Sequence, residues 1–206
     1  MGQARQRKLE RQQFDAISGA WLLSLGTEER AIADVATRLH QRVVMEGGMT
    51  GGCYHLSFFM KRYLKKQRNI DTDVVIGWVG EPSWRGVASH GWLEFAGKKV
   101  DIALSRTENP DILPTGDFIL LDRVILPGAA RYSYHREVPA SARETLTSMA
   151  LTAETAQESR DIHVRHRRML AMVDDDEAID SYLQNTPSGL NYRTLTLLAG
   201  LSGAGA

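Results

Sequence analysis

The single cysteine, Cys53, follows Gly47-Gly48-Met49-Thr50-Gly51-Gly52 and opens an apolar run containing Tyr54, Leu56, Phe58, Phe59, Tyr63 and Leu64. Four glycines in six residues hold no regular element. The run from Cys53 reads as a buried helix, closed by the basic turn Lys65-Lys66-Gln67-Arg68, whose charge complements the helix dipole. A thiol nucleophile needs a lowered pKa, a base within hydrogen-bond reach and a third group that orients the base. A position in the first turn of a helix meets the first need. The flexible glycines meet another, because they let backbone N–H groups, that of Cys53 included, approach a developing oxyanion.

The base and its orienter are sought on rigid strands. His90 lies in Ser89-His90-Gly91-Trp92-Leu93-Glu94-Phe95, and Asp101 lies in Lys99-Val100-Asp101-Ile102-Ala103-Leu104. Strand alternation puts His90, Trp92 and Glu94 on one face. With the turn at Ala96-Gly97, Trp92 faces Asp101 and His90 faces Ala103. Asp101 then becomes a diagonal neighbour of the imidazole on the same face. A one-residue slip would turn it away, so this register permits a His90–Asp101 hydrogen bond without forcing it.

These residues rest on a legible order of elements. Phe14 to Leu25 and residues 28–45 read as helices, the second capped by Thr27 and carrying the stripe Ile32, Val35, Ala36, Leu39 and Val43. Val74–Val79, Val87–Phe95 and Lys99–Leu104 read as strands, with Phe118–Ile125 a fourth strand or containing one. Residues 139–183 return to a helical pattern, with Ser141 as its cap. The expected fold class is α+β, helices packed on a small antiparallel sheet. A basic arm covers 1–13, a single domain 14–198 (helical from about 139), and a flexible tail 199–206.

The grouping Gly51-Gly52-Cys53, a strand ending in Gly77-Trp78, then His90-Gly91-Trp92-Leu93-Glu94 and Asp101 resembles the transglutaminase-like core, part of the wider papain-like group. The resemblance covers about residues 45–105. It implies a papain/transglutaminase-like core with Cys53 as nucleophile, His90 as general base and acid and Asp101 as orienter, passing through an acyl-thioester. For the oxyanion and substrate contacts the candidates are Gly52, Thr50 and Trp92, besides the Cys53 N–H. Members include cross-linking acyltransferases, cysteine peptidases, amidases and deamidases, and some have lost the triad. The expected activity is cysteine-dependent acyl transfer from an amide or peptide bond of a peptide or protein substrate, without cofactor. Hydrolysis needs only water, whereas cross-linking needs a second channel for an amine. The alternatives are an inactive binding module of the same fold and an amine-accepting acyltransferase.

Composition narrows the field further. Twenty-five basic residues balance twenty-five acidic ones, so no net field draws the chain to nucleic acid or an anionic membrane. No apolar run approaches the length of a membrane span, and the basic N-terminus lacks the apolar stretch of a secretory signal. One cysteine without a signal suits a reducing cytoplasm. Cys53, His55, His90 and His135 lack zinc-site spacing, so no metal is expected. His55 reads as structural, His163 and His166 with Arg165, Arg167 and Arg168 as a basic helix face, and Asp174–Glu177 as a solvated run.

Overall fold

The computed structural model describes residues 19–152, 155–186 and 189–201. The basic arm at 1–13 and most of the tail lie outside them. Residues 19–24 are helical. Six further α-helices are described: α1 (Thr27–Leu39), α2 (Cys53–Arg68), α3 (Ala140–Leu151), α4 (Ala156–Met172), α5 (Asp176–Gln184) and α6 (Tyr192–Leu198). Strands β1 (Asp73–Gly80), β2 (Ala88–Phe95), β3 (Lys98–Val100) and β6 (Ser133–His135) form an antiparallel sheet in the order β3-β2-β1-β6. Strands β4 (Phe118–Leu120) and β5 (Arg123–Leu126) pair as a separate hairpin. The fold is α+β.

α1 starts one residue earlier than expected. Gly26 is the cap, its N–H donating to Glu29 Oε2 at 3.1 Å, and Thr27 is already helical. The helix expected to run to 45 widens at His40–Glu46 into a π-helical segment, where the Gly47 N–H reaches back five residues to the Arg42 carbonyl at 3.0 Å. Val43 and Val44, adjacent in sequence, are both buried there.

α2 is the central element. Residues 54–60, Tyr63 and Leu64 are all buried. α1, β1, β2 and α5 all pack against it. Its polar edge is clamped by Arg62, whose guanidinium donates to both oxygens of Asp180 at 2.9 Å and also pairs with Asp176. Asp175 caps α5 by accepting from the Ala178 N–H at 2.9 Å. The acidic run Asp174–Glu177 is exposed, as expected, and two of its members also cap the helix and pair with Arg62.

The expected helical stretch at 139–183 is three helices, and its first begins after Pro139 with no side-chain cap from Ser141. Ile179 and Leu183 of α5 and Leu195 of α6 complete the core laid down by α1, α2 and the sheet. Ala199 and Leu201, placed in the expected tail, are buried in that same core. Among the described residues no helix is long and apolar enough to cross a membrane.

The β2–β3 turn decides where the site forms. Ala96 (φ 49°) and Gly97 (φ 76°) make a two-residue turn, and the register runs Leu93↔Val100, Glu94↔Lys99, Phe95↔Lys98. At Asp101 the chain leaves β2. Its N–H and C=O bond Ile119 of β4 at 2.9 and 2.8 Å. The third strand is therefore shorter than expected, and β2 faces an open fork where His90 sits.

Candidate active site

Gly51 takes a left-handed conformation (φ 64°) that side chains rarely adopt, and the chain then enters α2 through Gly52. The first i→i−4 bond of the helix is Leu56 N–H to the Gly52 carbonyl, 2.8 Å. The N–H groups of Cys53, Tyr54 and His55 precede it and have no helical acceptor. Cys53, half-buried, is the first residue of the helix.

His90 and Asp101 meet across the fork. His90 Nε2 lies 2.7 Å from Asp101 Oδ2, and both side chains are almost wholly buried, 4% and 1% exposed. The Tyr134 hydroxyl of β6 donates to the same Oδ2 at 2.7 Å, and the Ala103 N–H donates to Oδ1 at 3.0 Å. Both carboxylate oxygens are thereby satisfied, as a buried charge requires. The Cys53 sulfur is near enough to act on the charge of the imidazole. With Nε2 engaged by Asp101, Nδ1 is the nitrogen left for it.

Charge follows from this geometry. Burial alone would discharge the His90 imidazolium, but the Asp101 carboxylate and Cys53 outweigh it and hold its pKa well above the ordinary histidine value. Burial would likewise raise Asp101. The facing imidazolium and the Tyr134 and Ala103 donors hold it below the usual carboxylate range. Burial, then the Asp101 charge, pushes the Tyr134 hydroxyl up, so it stays a donor.

The other candidates are placed differently. Trp92 is buried, and its indole Nε1–H is spent on Glu94 Oε1 at 2.9 Å, while Arg136 holds Glu94 Oε2 at 2.6 Å. It is therefore not a free oxyanion donor. Its ring packs edge-on to Tyr134 at 5.2 Å and lies nearly parallel to His90 at 6.4 Å. Gly77 makes room for it: a Cβ there would stand 2.4 Å from the His135 carbonyl and 2.7 Å from the Trp92 ring. Thr50 lines a cavity of about 480 Å³ together with Gly51 and Gly52. A larger cavity, about 740 Å³, lies between the α2 N-terminus, α4 and α5. Gly51, His55 and Tyr182 border both, and the chain neighbours of Cys53 line them, Tyr54 the larger and Gly52 the smaller.

His55 is buried and bonded through Nε2 to the Leu190 carbonyl at 2.6 Å. His166 departs from the basic-face expectation. It is buried, stacks on Trp78 at 4.5 Å, and bonds Ser89 Oγ through Nδ1 at 2.5 Å. Ser89 Oγ also meets the Tyr54 hydroxyl at 2.5 Å. Among the described residues no three His, Cys, Asp or Glu side chains are grouped to share a metal ion.

No protein-family model, no curated protein and no solved structure matches this chain.

Sequence reasoning missed Tyr134, Tyr182 and the Tyr54–Ser89–His166 thread. For Tyr134 the only trace is the alternation Tyr132-Ser133-Tyr134-His135, which is too short to read as a strand. Ser89 adjoins His90, so alternation puts it on the opposite face, but nothing local names its partners.

Proposed function

We propose that this protein is a cysteine-dependent acyl-transfer enzyme with a transglutaminase-like, papain-like core, acting on an amide or peptide bond by hydrolysis. The observation that carries this reading is the buried 2.7 Å pairing of His90 Nε2 with Asp101 Oδ2, with Cys53 at the first residue of α2 near enough to raise the pKa of the imidazole.

In this reading the Cys53 sulfur attacks the carbonyl carbon. A C–S bond forms and the carbonyl electron pair moves to oxygen, which the free Cys53 N–H is positioned to receive. His90 passes its proton to the leaving amine as the C–N bond breaks. It then takes a proton from water, which cleaves the thioester and releases the carboxylic acid and the thiol. Asp101 fixes the tautomer and plane of the ring, and Tyr134 fixes Asp101. A lone thiol used in this way suits a reducing compartment such as the cytoplasm.

Alkylation by iodoacetamide at about pH 6 tests the reading, since an ordinary thiol is protonated there. Cys53 is expected to react much faster than a small free thiol, and His90→Ala is expected to remove the advantage. A Cys53 rate equal to that of the free thiol overturns the enzyme and leaves the binding module.

A further inference from the structure

The larger cleft differs in chemistry from the thiol corner it adjoins. Two arginines, Arg165 and Arg168, project from neighbouring turns of α4 and line it. Neither forms an ion pair or hydrogen bond among the described residues, whereas Arg62 and Lys66 of α2 are both tied to Asp180 of α5. One acid, Asp161, shares the lining, and its Oδ1 is engaged by Gln157 at 2.9 Å. Two arginines against one aspartate leave the cleft a positive surplus in an otherwise neutral protein. The same lining carries the apolar side chains of Val164, Met169 and Met172.

Tyr182 ties the two ends together. It lines the cleft, burial raises its hydroxyl pKa, Cys53 raises it further, and Arg168 and Arg165 oppose this. The thiol and both guanidinium groups therefore act on one side chain.

We infer that the α2–α4–α5 cleft binds the acyl donor, and that the donor carries an anionic group, held by Arg165 and Arg168, joined to its reactive carbonyl by an apolar stem. This rests on Cys53 being the nucleophile, as proposed above. Guanidinium forks suit carboxylate and phosphate alike, so the shared requirement is a planar or tetrahedral oxyanion. Hydrolysis of such a donor releases a product with two anionic groups, the original one and the new carboxylate.

Two alkylating reagents separate the claims. In each, the Cys53 sulfur displaces iodide, forming C–S as C–I breaks. Iodoacetamide is neutral and iodoacetate is an anion of similar size. The rate ratio of iodoacetate to iodoacetamide, taken in the same protein, cancels the reactivity of the thiol itself. This ratio is expected to exceed that of N-acetylcysteine amide by about tenfold or more at low salt. It should fall towards the small-thiol ratio in the double variant Arg165→Gln/Arg168→Gln.

Inorganic phosphate and N-acetylglycine, compared at fixed ionic strength, should each be tried as protectants against iodoacetate. The stronger of the two identifies the oxyanion as phosphate or carboxylate. A small-thiol ratio in the unaltered protein, or one unmoved in the double variant, overturns the inference. A slow iodoacetamide rate instead overturns the nucleophile assignment, so the two failures are distinguishable.

Discussion

Adjacent residues of β2 anchor two hydrogen-bonded threads that differ in kind. His90 runs to Asp101 and Tyr134 and carries charge, its imidazole held protonated by a buried carboxylate. Ser89 runs to Tyr54 and His166 and is neutral. Burial pushes His166 down and Tyr54 up to about 12, so neither side chain ionises near neutral pH. The first turn of α2 feeds both, Cys53 to one and Tyr54 to the other. Burial thus yields opposite results, depending on whether a counter-charge is present. In the proposed reading one thread moves a proton, while the other ties α2, β2 and α4 together.

Removing the counter-charge should have the largest effect. Asp101→Ala leaves His90 buried without its partner and should slow Cys53 alkylation at pH 6 by about 10²–10⁴-fold. It should also cost about 3–5 kcal/mol in urea unfolding. The depressed Asp101 pKa gives stability that is present above the unfolded carboxylate value and lost as pH falls through the folded one. The raised His90 pKa gives stability that is full below the unfolded histidine value and lost as pH rises through the folded one. The gap between the native protein and the variant should therefore be widest between these limits and close towards acid, as unfolding across a pH series will check.

Breaking the neutral thread is the sharper contrast. Ser89→Ala should cost about 1–3 kcal/mol, by stranding the Tyr54 hydroxyl and His166 Nδ1. Iodoacetamide labelling should change by less than about tenfold. A loss of labelling as large as that of Asp101→Ala would show that the two threads are one system.

Tyr134→Phe comes next, at about 1 kcal/mol. Losing a donor to Oδ2 raises the Asp101 pKa, so the acid limb of the labelling profile should move to higher pH. Trp92→Phe should have the smallest effect on alkylation, within a few-fold. Its indole N–H serves Glu94 and not the reacting oxygen. On a chromogenic amide substrate, a much larger fall in turnover would restore Trp92 as an oxyanion donor.

The charged thread was partly legible from sequence and the neutral one was not. Strand alternation and the Ala96-Gly97 turn put Asp101 on the face of His90, because a two-residue hairpin fixes register locally. What lay beyond local reach was the fork, where Asp101 gives its backbone to Ile119 rather than to β2. Tyr134 arrives on a three-residue strand 33 positions away, too short to show a period. For Trp92, the partner of the indole N–H was within local reach. Glu94, two residues on, shares its strand face and is its natural acceptor. The π-helical segment was equally hidden, since Val43 continues an α-helical stripe whether or not the pitch has widened. His166 looked basic by company, but its burial depends on Trp78 and Ser89, which no spacing within α4 reveals.

Helix α2 buries an unbroken stretch from Tyr54 to Met60, while α4, across the cleft, buries only Ser159, His166 and Met169. The sulfur therefore rides on the most deeply embedded segment and the opposite wall on a shallow one. Amide hydrogens in the middle of α2 should exchange with solvent only when the whole molecule opens, and those of α4 through local excursions at much lower cost. If the cleft takes acyl donors as proposed, adjustment to their shapes falls to the arginine-bearing wall, which can give way while the sulfur stays still.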